Sequence, residues 1–270
     1  MKKTLLALVM FTTAGVSIFA QNVKVDPALP DYKKVSSISG NLNAVGSDTL
    51  INLMTFWGEE FKKLYPSVNV QVEGKGSSTA PPALIEGVSQ LGPMSREMKD
   101  SEIQAFEKKY GFKPLKIAVA VDALAVYVNK ENPLEQLSLP ELDGLFSVNR
   151  RSGYAADIDS WGKLGLKDAW EKAPVIIGFD APNVKTLKLS EKKDGPAYSP
   201  HDYQDVISGK YPLSRLLYIY VSKDPKKPLD AKTAEFLKMV LSKSGQQITI
   251  KDGYLPLTAA IARKQLDLLK

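Results

Sequence analysis

Two periods of apolar residues alternate along the first half of the chain. Leu42-Asn43-Ala44-Val45 reads as a short strand ending at Gly46. From Thr49 onward Leu50, Leu53, Phe56, Trp57, Phe61 and Leu64 fall at helical spacing, and Pro66 stops that helix. Val68-Asn69-Val70-Gln71-Val72 then alternates as a half-buried strand does. The cycle repeats. A glycine–serine turn at Gly74–Thr79 leads into a second helix through Ala83-Leu84-Ile85, and Gln90–Met94 reads as a short strand and turn. Ser101-Glu102-Ile103 opens a third helix with a capping pattern, ending near Gly111. Leu115–Val128, rich in valine, isoleucine and alanine, supplies a buried strand or two. Strands alternating with helices in this order predict an α/β layer fold with a largely parallel sheet.

The pattern loosens after Pro133. Leu139–Phe146 reads as a short helix and Asp159-Ser160-Trp161 as a surface turn, while residues 147–200 are loop-rich with four prolines. Regularity returns with a strand over Leu216–Val221, an amphipathic helix over Ala231–Ser242 and a last helix over Leu257–Leu269. Residues 21–40, with Pro27 and Pro30 and no periodicity, read as an extended leader. No internal repeat or low-complexity tract is present.

The chain's start has a different character. Met1-Lys2-Lys3 is basic, Leu5–Phe19 is mostly apolar and uncharged, and Ala20 precedes polar Gln21-Asn22. That is the layout of a secretory signal peptide over residues 1–20, and the apolar stretch is short of the roughly 20 residues of a membrane span. An uncleaved N-terminal anchor is the alternative. There is no cysteine, which excludes a disulfide framework, a thiolate nucleophile and lipidation on an N-terminal cysteine. The expectation is a free periplasmic protein, secreted and not lipid-anchored. Loss of residues 1–20 lowers the formal net charge from +6 to +4, a mild balance compatible with an anionic ligand. No dense basic block interleaves with aromatics, so nucleic acid is not the expected partner. About 250 residues suffice for one large domain or two lobes.

Three segments share one design, a strand end, a turn of small hydroxyl residues and a helix start: Gly46-Ser47-Asp48-Thr49, Gly76-Ser77-Ser78-Thr79 and Met94-Ser95-Arg96. A helix N-terminus presents unpaired N–H groups and a positive dipole end, both of which attract an oxyanion. Serine and threonine add neutral donors, and Arg96 offers a planar charged fork suited to phosphate oxygens. Any one such loop is more simply an N-cap; three in succession, each after a strand, point to a site. Asp48 either caps its helix or accepts the proton of a monoprotonated phosphate.

At these residues the chain resembles the PstS-like phosphate-binding proteins of ABC transporters, a periplasmic solute-binding family. The resemblance runs from Val45–Leu50 through Gly74–Thr79 to Gly92–Arg96, and resumes at Gly209–Tyr220, Gly245-Gln246-Gln247 and Gly253–Leu257. It implies an α/β fold of the type II periplasmic-binding-protein kind, with two lobes of mixed sheets closing over one phosphate held by neutral donors and an arginine. Carried over, Asp48, Thr49 and Leu50 belong to the first binding loop, Ser77 and Ser78 to the second, Ser95 and Arg96 to the third. Residues 41–125 and 205–270 would form the first lobe and 126–204 the second. The implied partners are inorganic phosphate and an inner-membrane ABC permease, for a monomer with no cofactor and no metal.

One departure bears on the site. The family usually has a further loop in the second lobe, an arginine-bearing strand end followed by a Ser-Gly-Thr turn and a helix. Here Ala173–Ile176 reaches the corresponding strand, and Ile177–Lys185 follows at once, resembling a later part of the family pattern. The second lobe is therefore expected to be shortened and its ligand loop missing. Arg150-Arg151-Ser152-Gly153 is a substitute by composition, although a solvated turn is the plainer reading.

Other chemistry finds little support. His201, the only histidine, lies in a proline-rich loop, and Ser47 or Ser77 lacks the Gly-x-Ser-x-Gly elbow of a hydrolase nucleophile. One histidine without cysteine argues against a transition metal. Glu59-Glu60 reads as a solvated helix face, Gly74-x-Gly76 lacks the remainder of a nucleotide fingerprint, and Trp57, Trp161 and Trp170 read as core or edge aromatics. The expectation is a binding module and not an enzyme. The alternative is an interaction or sensor protein on the same fold that has lost its ligand.

Overall fold

A computed structural model describes residues 23–36, 38–176 and 183–270. The signal-peptide reading of residues 1–20 lies outside these. In chain order the elements are β1 (Gly40–Gly46), α1 (Ile51–Leu64), β2 (Val68–Gly74), α2 (Ala80–Glu86), β3 (Gly92–Met94), α3 (Asp100–Tyr110) and β4 (Leu115–Ala123). There follow β5 (Tyr127–Asn129), β6 (Gln136–Ser138), α4 (Leu139–Phe146), β7 (Val184–Thr186) and β8 (Lys188–Ser190). The chain closes with α5 (Tyr203–Ile207), β9 (Ser214–Val221), α6 (Ala231–Val240), α7 (Lys243–Lys251) and α8 (Ala259–Asp267).

The alternation read from the first 128 residues holds, and so does the α/β class. β1 and β2 pair in parallel from Gly40↔Val68 to Gly46↔Gly74. A parallel bridge at Ala44↔Leu91 and the bond Val45 N–H to Leu91 O (3.1 Å) bring the β3 strand beside β1. β9 lies between β3 and β4, antiparallel to both. The order is thus β2-β1-β3-β9-β4, and the sheet is mixed where strand alternation alone had predicted it largely parallel. A return from the far end of the chain supplies the antiparallel strand, which no local pattern announces.

Each face of this sheet is covered by helices. Leu217, Ile219 and Val221 of β9 belong to the larger core with Leu42, Leu53, Trp57, Phe61 and Phe236. Tyr218 and Tyr220, pointing the other way, join Ala80, Leu84, Met94 and Phe106 under α2 and α3. Trp57 is fully buried and donates its indole N–H to Gly245 O (2.9 Å), so it is core, as expected. The run over Leu115–Val128, expected as a strand or two, forms two, β4 ending at Ala123 and β5 beginning at Tyr127. Residues 127–190 contain two small two-stranded sheets, antiparallel β5–β7 and parallel β6–β8. α4 forms where expected, opened by a capping box between Ser138 and Glu141.

Candidate functional site

The three hydroxyl-rich turns meet at the carboxyl ends of β1, β2 and β3. Ser47 N–H donates to Pro93 O (2.8 Å), tying the first turn to the third strand. Lys75 N–H donates to Gly46 O (2.9 Å), tying the second turn to the first. Ser95 N–H donates to Ser77 Oγ (3.1 Å), and the two hydroxyls stand 3.2 Å apart. Gly46 makes this convergence possible, because a Cβ there would lie 2.1 Å from Pro93 O.

Each turn leaves donors at this edge. α1 begins with Leu50 in the N-cap position, without a side-chain cap and without an acidic residue in its first turn. Its dipole end is therefore not neutralised from within the helix. Asp48 is exposed, Thr49 half-buried and Leu50 buried, so the first turn offers backbone N–H groups and one hydroxyl beside a solvated carboxylate. Ser77 and Ser78 form a single 3-10 turn with Thr79, entered through Gly76 at φ +96°, where a residue with a Cβ is strained. Thr79 turns back onto Gly76 O (2.9 Å), leaving Ser78 exposed. Ser47 Oγ is buried and has no hydrogen-bond partner among the described residues. A buried hydroxyl without a partner costs about 1–3 kcal/mol.

Arg96 is the member of the expected set that the structure does not aim at this edge. Its guanidinium forks end-on onto Glu102 of α3 (2.8 and 2.7 Å), and Nη1 also reaches Glu97 O (2.9 Å). Glu102 accepts from Lys99 N–H as well (2.8 Å), so one carboxylate both caps α3 and anchors the arginine. The pairing raises the arginine's pKa and holds the Glu102 carboxyl below the usual carboxylate range. Glu97 accepts from Lys116 Nζ (2.7 Å) and Tyr218 OH (3.1 Å), and Met98 N–H donates to Tyr220 OH (3.0 Å). The chain that follows Ser95 is thereby fastened to the α3 face of the sheet.

Sequence reasoning missed a second group of residues at the end of β4. An antiparallel bridge at Val121↔Leu255 sets Tyr254 beside Asp122. Asp122 also stands opposite Arg215 in the β4–β9 ladder, where Oδ2 takes Nε and Nη2 (both 2.8 Å). Tyr254 donates its hydroxyl to Thr49 O (2.6 Å). Burial, with the nearby carboxylates Asp122 and Asp252, pushes that phenol up to about 12, so it remains a donor at neutral pH. A small cavity of about 30 Å³ lies against Asp122, Pro200 and Tyr254. The available signal was an arginine opening the strand Ser214-Arg215-Leu216-Leu217-Tyr218, which strand periodicity alone treats as an edge residue.

Burial also raises the Asp252 carboxyl to about 6. Its proton is held more tightly in the folded than in the unfolded chain. The protonated form therefore favours folding below the unfolded value of 3.8, and that stabilisation is lost as pH rises through about 6. Asp252→Asn is expected to raise stability at pH 7 by on the order of 1 kcal/mol, solvent screening allowed for, and to change nothing at pH 3. Urea unfolding at both pH values measures it; an Asn variant less stable than wild type at pH 7 would contradict the assignment.

In the region expected to form the second lobe, Arg150 pairs with Asp157, while Arg151, Ser152 and Gly153 are exposed. Ser152 N–H is tied to Asp143 Oδ2 (2.6 Å), and the run is a solvated turn. Phe146, Val148 and Ile176 are exposed at 61%, 87% and 84%. His201 Nε2 contacts Thr186 Oγ1 (2.7 Å) on the surface. Among the described residues no cluster of His, Asp or Glu could hold a metal ion, and no helix is long and apolar enough to cross a membrane.

Comparison with known proteins places these features in a family. Residues 33–175 match a family described as a PBP superfamily domain. The chain is 45% identical to the phosphate-binding protein PstS of Pseudomonas aeruginosa, with 98% of each chain covered. That match runs over 316 aligned positions, at least 46 more than the chain has residues, so at that many places the relative has residues and this chain has none. Among solved structures, a possible phosphate binding protein from Planctomyces limnophilus superimposes with a TM-score of 0.70 at 21% identity, covering 86% of this chain and 98% of that one. An ABC-type phosphate transport receptor from Vibrio cholerae gives a TM-score of 0.58 at 20% identity, covering 81% and 100%. At these identities the structural likeness concerns the fold alone.

Proposed function

We propose the function from one premise: this chain belongs to the PBP superfamily and, within it, to the PstS family. The protein captures inorganic phosphate, or a similar tetrahedral oxyanion, in the periplasm and passes it to an inner-membrane ABC permease. It acts as a monomeric receptor without covalent chemistry. One observation carries the reading: three hydroxyl-bearing turns are hydrogen-bonded to one another in front of the uncapped N-terminus of α1. Thr49, the Leu50 N–H, Ser77, Ser78 and Ser95 donate to the anion, and Asp48 accepts the proton of a monoprotonated phosphate. Arg96 contributes by fixing the third turn. Residues 41–125 with 205–270 make the lobe that bears these turns, and residues 126–204 make the shortened lobe that would close over them.

Thermal unfolding with and without phosphate, with sulfate as control, tests this. A ligand that binds only the folded state, present at about 100 times its dissociation constant, adds roughly 2.7 kcal/mol. The expected result is a rise with phosphate and none with sulfate, since sulfate has no proton to donate to Asp48 and sets its full dianionic charge against that carboxylate.

A second reading has a specific observation in its favour. With at least 46 positions absent relative to PstS of P. aeruginosa and Phe146, Val148 and Ile176 uncovered, the fold could serve as an interaction or sensor protein that binds no anion. A cooperatively folded protein with no response to either anion would select this reading.

A further inference from the structure

We infer that Arg215, held in place by Asp122, is the guanidinium that neutralises the bound anion, and that Arg96 is a positioning residue that does not touch it. This rests on the proposed phosphate-binding function and names the charged part of the same site.

The faces of the central sheet supply the first argument. Along β9, Leu217, Ile219 and Val221 pack into the core that α1 covers, whereas Tyr218 and Tyr220 pack under α2 and α3. Arg215 lies two residues before Leu217, so strand alternation sets it on the α1 face. The N-terminus of α1, with Thr49 and Leu50, opens on that same face. Arg96 forks onto Glu102 of α3, on the opposite face.

Tyr254 fixes how close the two groups stand. It sits next to Asp122 through the Val121↔Leu255 bridge, and its hydroxyl reaches Thr49 O at 2.6 Å. Asp122 holds Arg215 at 2.8 Å. Arg215 is therefore ion-paired to Asp122, Asp122 neighbours Tyr254 across the bridge, and Tyr254 is hydrogen-bonded to the first anion turn.

Donor geometry is the third argument. Asp122 engages Arg215 through Nε and Nη2 with a single oxygen. In a planar guanidinium that side-on arrangement directs Nη1 away from the carboxylate. The side chain is 49% exposed. Arg96 instead spends both terminal nitrogens on Glu102 and a further N–H on Glu97 O, and is 32% exposed. A shortened second lobe would otherwise leave a phosphate without any cationic partner. A half-neutralised arginine at the start of β9, in the expected first lobe, supplies one.

The test titrates inorganic phosphate into the full chain by calorimetry, at two ionic strengths, for wild type, Arg215→Gln and Arg96→Gln. Arg215→Gln is expected to weaken phosphate at least tenfold and to flatten the dependence on salt. Arg96→Gln is expected to lower the unfolding temperature through loss of the Glu102 fork, while affinity falls less than threefold. Wild type that binds phosphate beside an Arg215→Gln variant within twofold of it would overturn the assignment of Arg215 alone. A tenfold loss confined to Arg96→Gln would return the charge to Arg96. Wild type that binds no phosphate would overturn the functional reading and this one with it. Should Arg215→Gln not unfold cooperatively, Arg215→Met takes its place, removing the charge and keeping the aliphatic stem; an affinity within twofold of wild type overturns the proposal.

Discussion

Gly46→Ala is expected to destabilise the protein by about 3 kcal/mol and to abolish its response to phosphate. The reason is space. An alanine Cβ would meet Pro93 O at 2.1 Å, Pro93 C at 3.1 Å and Ala80 Cβ at 3.2 Å. Two of these are backbone atoms of the neighbouring strand, so no rotamer change relieves the contact. The strand must move instead, and with it the bond from Ser47 N–H to Pro93 O that joins the first and third turns. Gly111→Ala calibrates the effect. Gly111 has φ +76° at the end of α3 and open space around it, so alanine there meets only the left-handed backbone cost, about 1 kcal/mol, and leaves the site untouched. Urea midpoints of the two variants, each repeated with phosphate, measure both consequences. A Gly46→Ala protein as stable as Gly111→Ala and still responsive to phosphate would remove the turn junction from the account.

The parts of this fold that were legible in the sequence are those whose chemistry is local. Apolar spacing from Leu50 to Leu64 places α1 because its buried face is made of apolar side chains. The hydroxyl turns were legible because strand, small residues and helix follow one another without interruption. α7 escaped for the opposite reason. Its buried residues are Gly245, Gln246 and Thr249, and Gln246 fills the core while bonding to Val119 O, Val240 O and Leu257 N–H. A helix that buries an amide in place of a leucine shows no apolar period. The charged part of the site escaped because type and position do not fix direction. Arg96 has the right neighbours in sequence and faces α3; Arg215 begins an ordinary strand and lies on the face of the first turn. Which face each occupies is decided by the antiparallel entry of β9, a contact between distant parts of the chain.

Residues 23–36, read from sequence as an extended leader without periodicity, contain no regular element but act as a strap across the closing helices. Asp26 Oδ2 accepts from Ala259 N–H at the start of α8 (2.9 Å), Lys243 N–H donates to Pro30 O (2.9 Å), and Arg263 reaches Ala28 O (3.0 Å). Leu29 is buried in the main core. The strap's strongest hold is a proton-ordered chain. Val35 N–H donates to Tyr65 OH (3.0 Å), which leaves the Tyr65 hydrogen for Tyr32 (2.7 Å), and Tyr32 then donates to Glu235 (2.8 Å). Glu235 is buried and has Lys238 as its other partner (2.7 Å). Burial first, and then these two partners, raise the Tyr32 phenol well above its ordinary value, so the donor stays protonated. Tyr32→Phe deprives a buried carboxylate of a donor and Tyr65 of an acceptor, at an expected cost of about 2 kcal/mol. Leu29→Ala should cost about 3 kcal/mol through the cavity it leaves. Together they approach about 5 kcal/mol, the lower end of the stability of a natural domain, so the double variant is expected to be largely unfolded near 37 °C. Circular dichroism across a thermal scan reads this directly. A double variant melting within a few degrees of wild type would mean that α6, α7 and α8 hold without the strap, and that Glu235 is stabilised by Lys238 alone.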